Sequence, residues 1–199
     1  MPRGSKNKKA DEYIARLSDS VLDGSLEDVE ETMNAYHYVY NVNINKKNVH
    51  GNTVFMLAAG LEDDDIIRTI YNTYHDEIDV NLTNNNGNTA FMIAAQNKNV
   101  DVVEFIFDYF EDGVDFFIDN NEGNTAFMLA ALNSCSTTLH FLYNSYEIDI
   151  NEQNARGQTA LMLAIRNDDF EVFDFLLEGF ENSIDIDVRD ENGNNAFMI

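Results

Sequence analysis

The chain has 199 residues, and an apolar content of 44% is enough to bury a substantial core. Its 36 acids against 12 Lys and Arg leave a formal net charge of −24, which works against nucleic acid and anionic membranes, because both are held largely by Lys and Arg. No apolar run approaches the roughly 18 residues of a membrane span, and a single cysteine, Cys135, excludes a disulfide framework within the chain and suits a reducing compartment.

The N-terminus, MPRGSKNKKA, is basic but leads into no apolar stretch, so it does not read as a secretory signal. Its PRGS also looks like the remnant of a protease-site linker. Residues 1–9 are expected to form a flexible basic tail carrying Arg3, Lys6, Lys8 and Lys9. From Ala10 onward the balance is therefore −28. If charge selects a partner, it selects a basic one; the other reading is that the acids keep the protein in solution. The chain reads as soluble and intracellular, with a cytoplasmic location expected. Ile14, Leu17, Val21 and Leu22 then make one helical stripe.

Beyond residue 45 the sequence repeats. HGNTVFMLAAG, NGNTAFMIAAQ, EGNTAFMLAAL, RGQTALMLAIR and NGNNAFMI place glycines at Gly51, Gly87, Gly123, Gly157 and Gly193, spaced 36, 36, 34 and 36 apart. A second marker ends six residues before each glycine: Val42-Asn43-Ile44-Asn45, Ile78-Asp79-Val80-Asn81, Val114-Asp115-Phe116-Phe117, Ile148-Asp149-Ile150-Asn151 and Ile184-Asp185-Ile186-Asp187. Two markers locked at one offset define a stacked repeat architecture. Asn48, Asn84, Asn120, Asn154 and Asp190 sit three residues before the glycines, which predicts a type I turn. Thr53, Thr89, Thr125 and Thr159 are predicted N-caps. Phe-Met-Leu-Ala-Ala follows as a short helix whose alanines admit a close neighbour. After a break at Lys98-Asn99 or Asn167-Asp168 comes a second helix, with Val102, Val103, Phe105 and Ile106, or Val172, Phe173, Phe175, Leu176 and Leu177, on its apolar side.

These residues resemble the ankyrin repeat, a β-hairpin finger followed by two antiparallel helices, over about 46–199. The resemblance implies an all-α repeat fold: an ankyrin-type solenoid of stacked helix pairs with β-hairpin fingers. Gly24-Ser25-Leu26-Glu27-Asp28-Val29 is similar to the family's inter-helix turn, so 10–45 is read as a fingerless N-terminal capping repeat with a polar outer face. Full repeats are expected at 46–81, 82–117, 118–151 and 152–187, with an incomplete one at 188–199. The chain stops inside the first helix of that last unit, and a longer natural protein is the expected explanation. There are three departures. The family's Pro is Val54, Ala90, Ala126, Ala160 or Ala196, at little expected cost because a first-turn N–H has no intrahelical partner. Its His is Met56, Met92, Met128, Met162 or Met198, so dispersion contacts are expected to replace inter-repeat hydrogen bonds. The period of 36 in place of 33 implies longer second helices or wider loops, with the surplus most apolar at Phe107–Phe117.

No catalytic, cofactor or metal motif is found: no phosphate loop, no dinucleotide fingerprint, no paired-His zinc helix. His37, His50, His75 and His140 are scattered, and Cys135 has no base placed beside it by sequence. Glu62-Asp63-Asp64-Asp65 lacks the EF-hand spacing and reads as a solvated helix N-terminus. No cofactor and no small-molecule substrate is expected.

The resemblance implies a protein partner in the concave groove made by finger tips and first helices. By position the tips are Val49 and His50, Asn85 and Asn86, Asn121 and Glu122, Ala155 and Arg156. The residues after the glycines are Asn52, Asn88, Asn124 and Gln158. On the first helices the matching positions are Leu61, Gln96, Asn97, Leu132, Asn133, Arg166 and Asn167. For each amide the competing reading is a turn or ladder former. The acids concentrate on the second helices and the loops after them, with seven between Asp101 and Asp119 and ten between Asp168 and Glu191. The functional expectation is a non-catalytic protein-interaction scaffold. The rival is the recognition arm of a longer enzyme, or of a secreted effector delivered into a host cell, whose catalytic part follows Ile199.

Overall fold

The structure is a computed structural model and describes residues 3–35, 42–110, 113–167, 170–179 and 183–199. Its helices are α1 (Arg3–Leu22), α2 (Leu26–Ala35), α3 (Val54–Ala59), α4 (Asp65–Tyr74), α5 (Ala90–Gln96), α6 (Val100–Tyr109), α7 (Ala126–Leu132), α8 (Ser136–Ser145), α9 (Ala160–Arg166) and α10 (Phe170–Gly179), followed by a 3-10 turn at Ala196–Met198. Among the described residues no strand is formed. The odd-numbered helices stack in one layer, α1 on α3, then α5, α7 and α9, and α9 on the 3-10 turn. The even-numbered helices stack behind them, and each packs on its own first helix.

The short first helices hold because their ends are satisfied and their sides are wholly buried. Thr53, Thr89, Thr125 and Thr159 each accept a hydrogen bond from the backbone N–H of the Met three residues on, at 3.2 to 3.4 Å. That occupies a first-turn donor which would otherwise be orphaned. The alanines Ala58, Ala59, Ala94, Ala95, Ala130 and Ala131 have no exposed surface, and their small side chains suit the stacking of one first helix on the next. Phe91, Met92, Phe127 and Met128 are 2–3% exposed and belong to the core that joins the repeats. Each such side chain contributes on the order of 1.5–3 kcal/mol by leaving water. At the first repeat the thioether also takes a polar role: Thr53 N–H donates to Met56 Sδ at 3.5 Å.

The predicted break at Lys98-Asn99 is a left-handed residue, Lys98 at φ 60°, and Ser134 takes the same conformation before α8. Asn99 caps α6 through Val102 N–H (3.3 Å) and donates back to the Glu62 carbonyl of the preceding repeat at 2.6 Å. The break expected at Asn167-Asp168 lies partly outside the described residues, since Asp168 is not described. The apolar surplus at Phe107–Phe117 goes into a seam of rings. Phe110 meets Phe55 at 5.5 Å and Tyr71 at 5.2 Å, while Phe116 meets Phe91 at 5.0 Å and Phe107 at 5.2 Å.

At the N-terminus, Ile14, Leu17 and Val21 are buried as their stripe requires, but Leu22 is 60% exposed. The fourth core residue of α1 is Tyr13, whose hydroxyl pairs with that of Tyr74 at 2.6 Å. Burial, then that hydrogen bond, pushes the Tyr13 hydroxyl well above its ordinary pKa. The helix reaches back to Arg3, into the stretch read from sequence as a flexible tail.

Candidate partner-binding face

Each finger is an Asx-supported turn, built the same way five times. Asn48 Oδ1 accepts from His50 N–H (2.9 Å) and Asn52 N–H (3.0 Å), while its carbonyl accepts from Gly51 N–H (2.9 Å). Asn84, Asn120, Asn154 and Asp190 repeat this within 0.1 Å on their side-chain oxygens. The same bonds hold Asp190 in its ionised form and lower its pKa, chiefly through the Asn194 N–H. The hairpin expected from the resemblance is thus reduced to a single closed turn, with Asn48 N–H bonded to the Asn52 carbonyl. A turn this short has no room for a ladder of strand pairs.

The turns are tied to one another. Asn85, Asn121, Ala155 and Glu191 donate their N–H groups to the carbonyls of His50, Asn86, Glu122 and Arg156, at 2.9 to 3.1 Å. Beneath this runs a ladder of amides. Asn84, Asn120 and Asn154 donate through Nδ2 to Oδ1 of Asn52, Asn88 and Asn124, at 2.8 to 2.9 Å. The hydrogen bonds that methionine cannot make between repeats are therefore made by asparagine. This was legible in the Asn pairs four residues apart, 48/52, 84/88 and 120/124.

The ladder sorts the sequence-chosen residues. Asn88, Asn124 and Gln158 are 8%, 2% and 7% exposed and their side chains are engaged inside the array, so the ladder-former reading describes them. Asn52 is half-buried on the same ladder. Val49, His50, Asn85, Asn86, Asn121, Glu122, Ala155 and Arg156 are exposed, in one row along the turns. At the C-terminal ends of the first helices, Leu132 and Leu61 (two residues past α3) pack against the core and Gln96 is half-buried. Asn97 donates to the Gly60 carbonyl (3.2 Å) and Asn133 to that of Leu129 (2.8 Å). Asn167 donates to Ser134 Oγ at 2.9 Å, and Arg166 is exposed beside it, 3.5 Å from Gln158 Oε1.

Asp101, Glu104 and Asp108 are exposed on α6, in the second-helix layer. Asp63, Asp64 and Asp65 bring carboxylate oxygens within 4.8 Å of one another, but Asp64 is paired with Arg68 (2.6 Å) and Asp63 caps Asp65 N–H (2.9 Å). They serve the start of α4. Cys135 is buried at the head of α8, 3.6 Å from the Asn133 carbonyl. One acid is strained: burial, then the charges of Asp149 and Asp119, pushes the Glu152 carboxyl above its ordinary range. Its charged form is therefore disfavoured in the fold. That cost is present at neutral pH and vanishes below the unfolded carboxyl pKa, where both states are protonated. Glu152→Gln is expected to raise the melting temperature at pH 7, with the gain shrinking to nothing as the pH falls to about 3. A pH-independent difference in thermal melts would contradict this.

Helix pairs stacked in two layers, with turns projecting from one edge and locked at a fixed spacing, define a repeat solenoid that presents a preorganised row of side chains. The family model described as Ankyrin repeats (3 copies) matches residues 17–116, 72–154 and 127–199. The chain belongs to the ankyrin-repeat family, whose repeats are protein-interaction modules. Among solved structures it is similar to a chain in the complex of the Bd0816 predatory endopeptidase from Bdellovibrio bacteriovorus with the immunity protein Bd3460. The TM-score is 0.71 at 25% identity, over 91% of this chain and 88% of that one. No curated protein matches the sequence. Among the described residues no helix is long and apolar enough to cross a membrane.

Proposed function

We propose that this protein is a non-catalytic scaffold that docks a protein partner on the exposed row of turn residues and on Asn97, Asn133, Arg166 and Asn167 at the C-terminal ends of the first helices. The observation that carries the reading is the rigidity of that row. Backbone bonds of 2.9 to 3.1 Å fix each turn to the next, so Asn85, Asn86, Asn121 and Glu122 are already ordered before binding. A partner meeting an ordered surface avoids much of the entropy cost of arranging it. The likeness to a chain from an enzyme–immunity protein complex supports a protein as the occupant. The acidic second-helix layer favours a basic one, speeding encounter more than it strengthens the complex. The same charge disfavours nucleic acid and anionic membranes, and a cytoplasmic site of action fits the single buried thiol.

The test is surface-plasmon kinetics on a partner captured with the intact array and identified by mass spectrometry. Asn86→Ala with Asn97→Ala is expected to speed dissociation about tenfold, the range of a few lost interface hydrogen bonds. Neutralising Asp101, Glu104 and Asp108 is expected to slow association several-fold at low salt and to have no effect at about 0.5 M, where charges a few ångströms apart are screened. If the acid variants abolish binding at high salt while the turn variants change nothing, the second-helix layer is the site and the assignment is wrong.

A further inference from the structure

The turn ladder has a counterpart further back along each repeat, and it is interrupted once. Asn45, Asn81 and Asn151 each clamp the following repeat. Their Nδ2 donates to the carbonyl of Glu77, Gly113 or Ser183 at 2.6 to 2.8 Å, and their Oδ1 accepts from the N–H of Asp79, Asp115 or Asp185 at 2.7 to 2.9 Å. At the equivalent position between Asn81 and Asn151 stands Phe117, which has no amide to offer. The groups it would have clamped are, by register, the Glu147 carbonyl and the Asp149 N–H. Among the described residues no side chain takes them.

A pocket stands where the clamp is missing. Phe117 is 71% exposed and meets Tyr146 edge to face at 6.1 Å, while Tyr146 stacks on Phe116 at 5.0 Å with the rings 20° from parallel. These rings and the acids Glu147, Asp149 and Glu152 line a cavity of about 210 Å³. Among the described residues none of the three carboxylates has an ion-pair partner.

We propose that this pocket binds an arginine side chain of a basic partner protein, its guanidinium lying against Phe117 and Tyr146 and hydrogen bonding to the Glu147 carbonyl and the surrounding carboxylates. Each part of the lining matches one part of that side chain. Ring faces attract a cation, and Arg is the cation whose flat, weakly hydrated head stacks on them. Its several N–H donors answer a cluster of acceptors in a way a neutral apolar group cannot, since that would leave the acids desolvated and unpaired. The apolar floor at Phe116 covers the methylene stem. Burial and the neighbouring acids already push Glu152 toward its neutral form, and an arriving cation relieves the repulsion. The proposal shares with the docking reading only the idea of a basic partner. The site is separate from the turn row, and the two can fail independently.

The probe is Nα-acetyl-arginine amide, titrated into the intact, uniformly labelled chain and followed by amide chemical shifts, with the neutral citrulline analogue as control. Arginine amide is expected to give saturable shifts centred on Phe117, Tyr146, Asp149 and Glu152, and citrulline amide none. Phe117→Asn restores the amide that the other repeats carry, so the fold is kept and the clamp can close. It is expected to weaken arginine binding at least tenfold, and Glu152→Gln about threefold. Asn86→Ala with Asn97→Ala should bind the probe as the parent does. Equal affinity in Phe117→Asn, equal shifts from citrulline amide, or shifts spread along α6 and α10 without saturation would each overturn the proposal.

Discussion

Phe127→Ala is expected to lower the stability of the array by about 3–5 kcal/mol, the cost of deleting a fully packed aromatic ring. The side chain is 3% exposed, on α7, which packs between α5 and α9. A closely packed layer leaves the neighbouring helices little freedom to collapse into the space left behind. Because each repeat is stabilised mainly by its neighbours, the loss should reach the whole cooperative transition. Urea denaturation of the intact chain measures it, with Phe197→Ala as the control. Phe197 is 61% exposed, and its removal is expected to change stability by less than about 0.5 kcal/mol. Equal shifts for the two variants would show that the first-helix layer is not the core.

Gly87→Ala is the second large effect. Gly87 sits at φ +81°, and an added Cβ would lie 2.6 Å from the Asn121 N and 2.7 Å from its Oδ1. The left-handed conformation alone costs a non-glycine residue roughly 1–2 kcal/mol. The clash adds the bond between Asn121 N–H and the Asn86 carbonyl, worth about 1 kcal/mol, because the two turns must separate. Gly24 makes the comparison clean: it has φ +69°, and a Cβ added there would meet nothing within 4 Å, so Gly24→Ala should lose only the backbone part. The expected order is Gly87→Ala well above Gly24→Ala in denaturant titrations. Amide exchange at Asn121 should rise in the first variant alone, and its staying protected would mean the turns are not tied as described.

Both predictions bear on the proposed face. Phe127 supports the layer from which the turns project, and Gly87 permits the close approach that locks one turn to the next. A variant that loosens the turns without unfolding the helices would separate rigidity from composition as the source of binding.

The repeat itself was legible because its signals are local. A glycine three residues after Asn, a Thr before Phe-Met-Leu-Ala-Ala and a short break such as the left-handed Lys98 or Ser134 are each decided by bonds within a few residues of chain. Periodicity then multiplied one local solution into an array. Burial repeats with it: Phe91, Met92, Phe127 and Met128 occur at equivalent places in a repeating helix and are buried alike. Where the pattern is not repeated it was less secure: Leu22 lies at the end of the α1 stripe and is exposed, while Tyr13 is buried through its contact with Tyr74, 61 residues away.

What tertiary structure alone decided is the division of labour among the asparagines and the fate of the one repeat that lacks its clamp. Asn86 and Asn88 are two residues apart in the same turn, yet one is exposed and the other 8% exposed and bonded to the next repeat. Their chemistry is identical, and only the stacking distance between turns determines which amide finds a partner. Likewise Phe117 is one apolar residue among many until the register of the following repeat sets it beside Tyr146, Asp149 and Glu152. Local hydrogen bonding is encoded within the segment that makes it, whereas the surroundings of an exposed side chain are made by residues about thirty positions away.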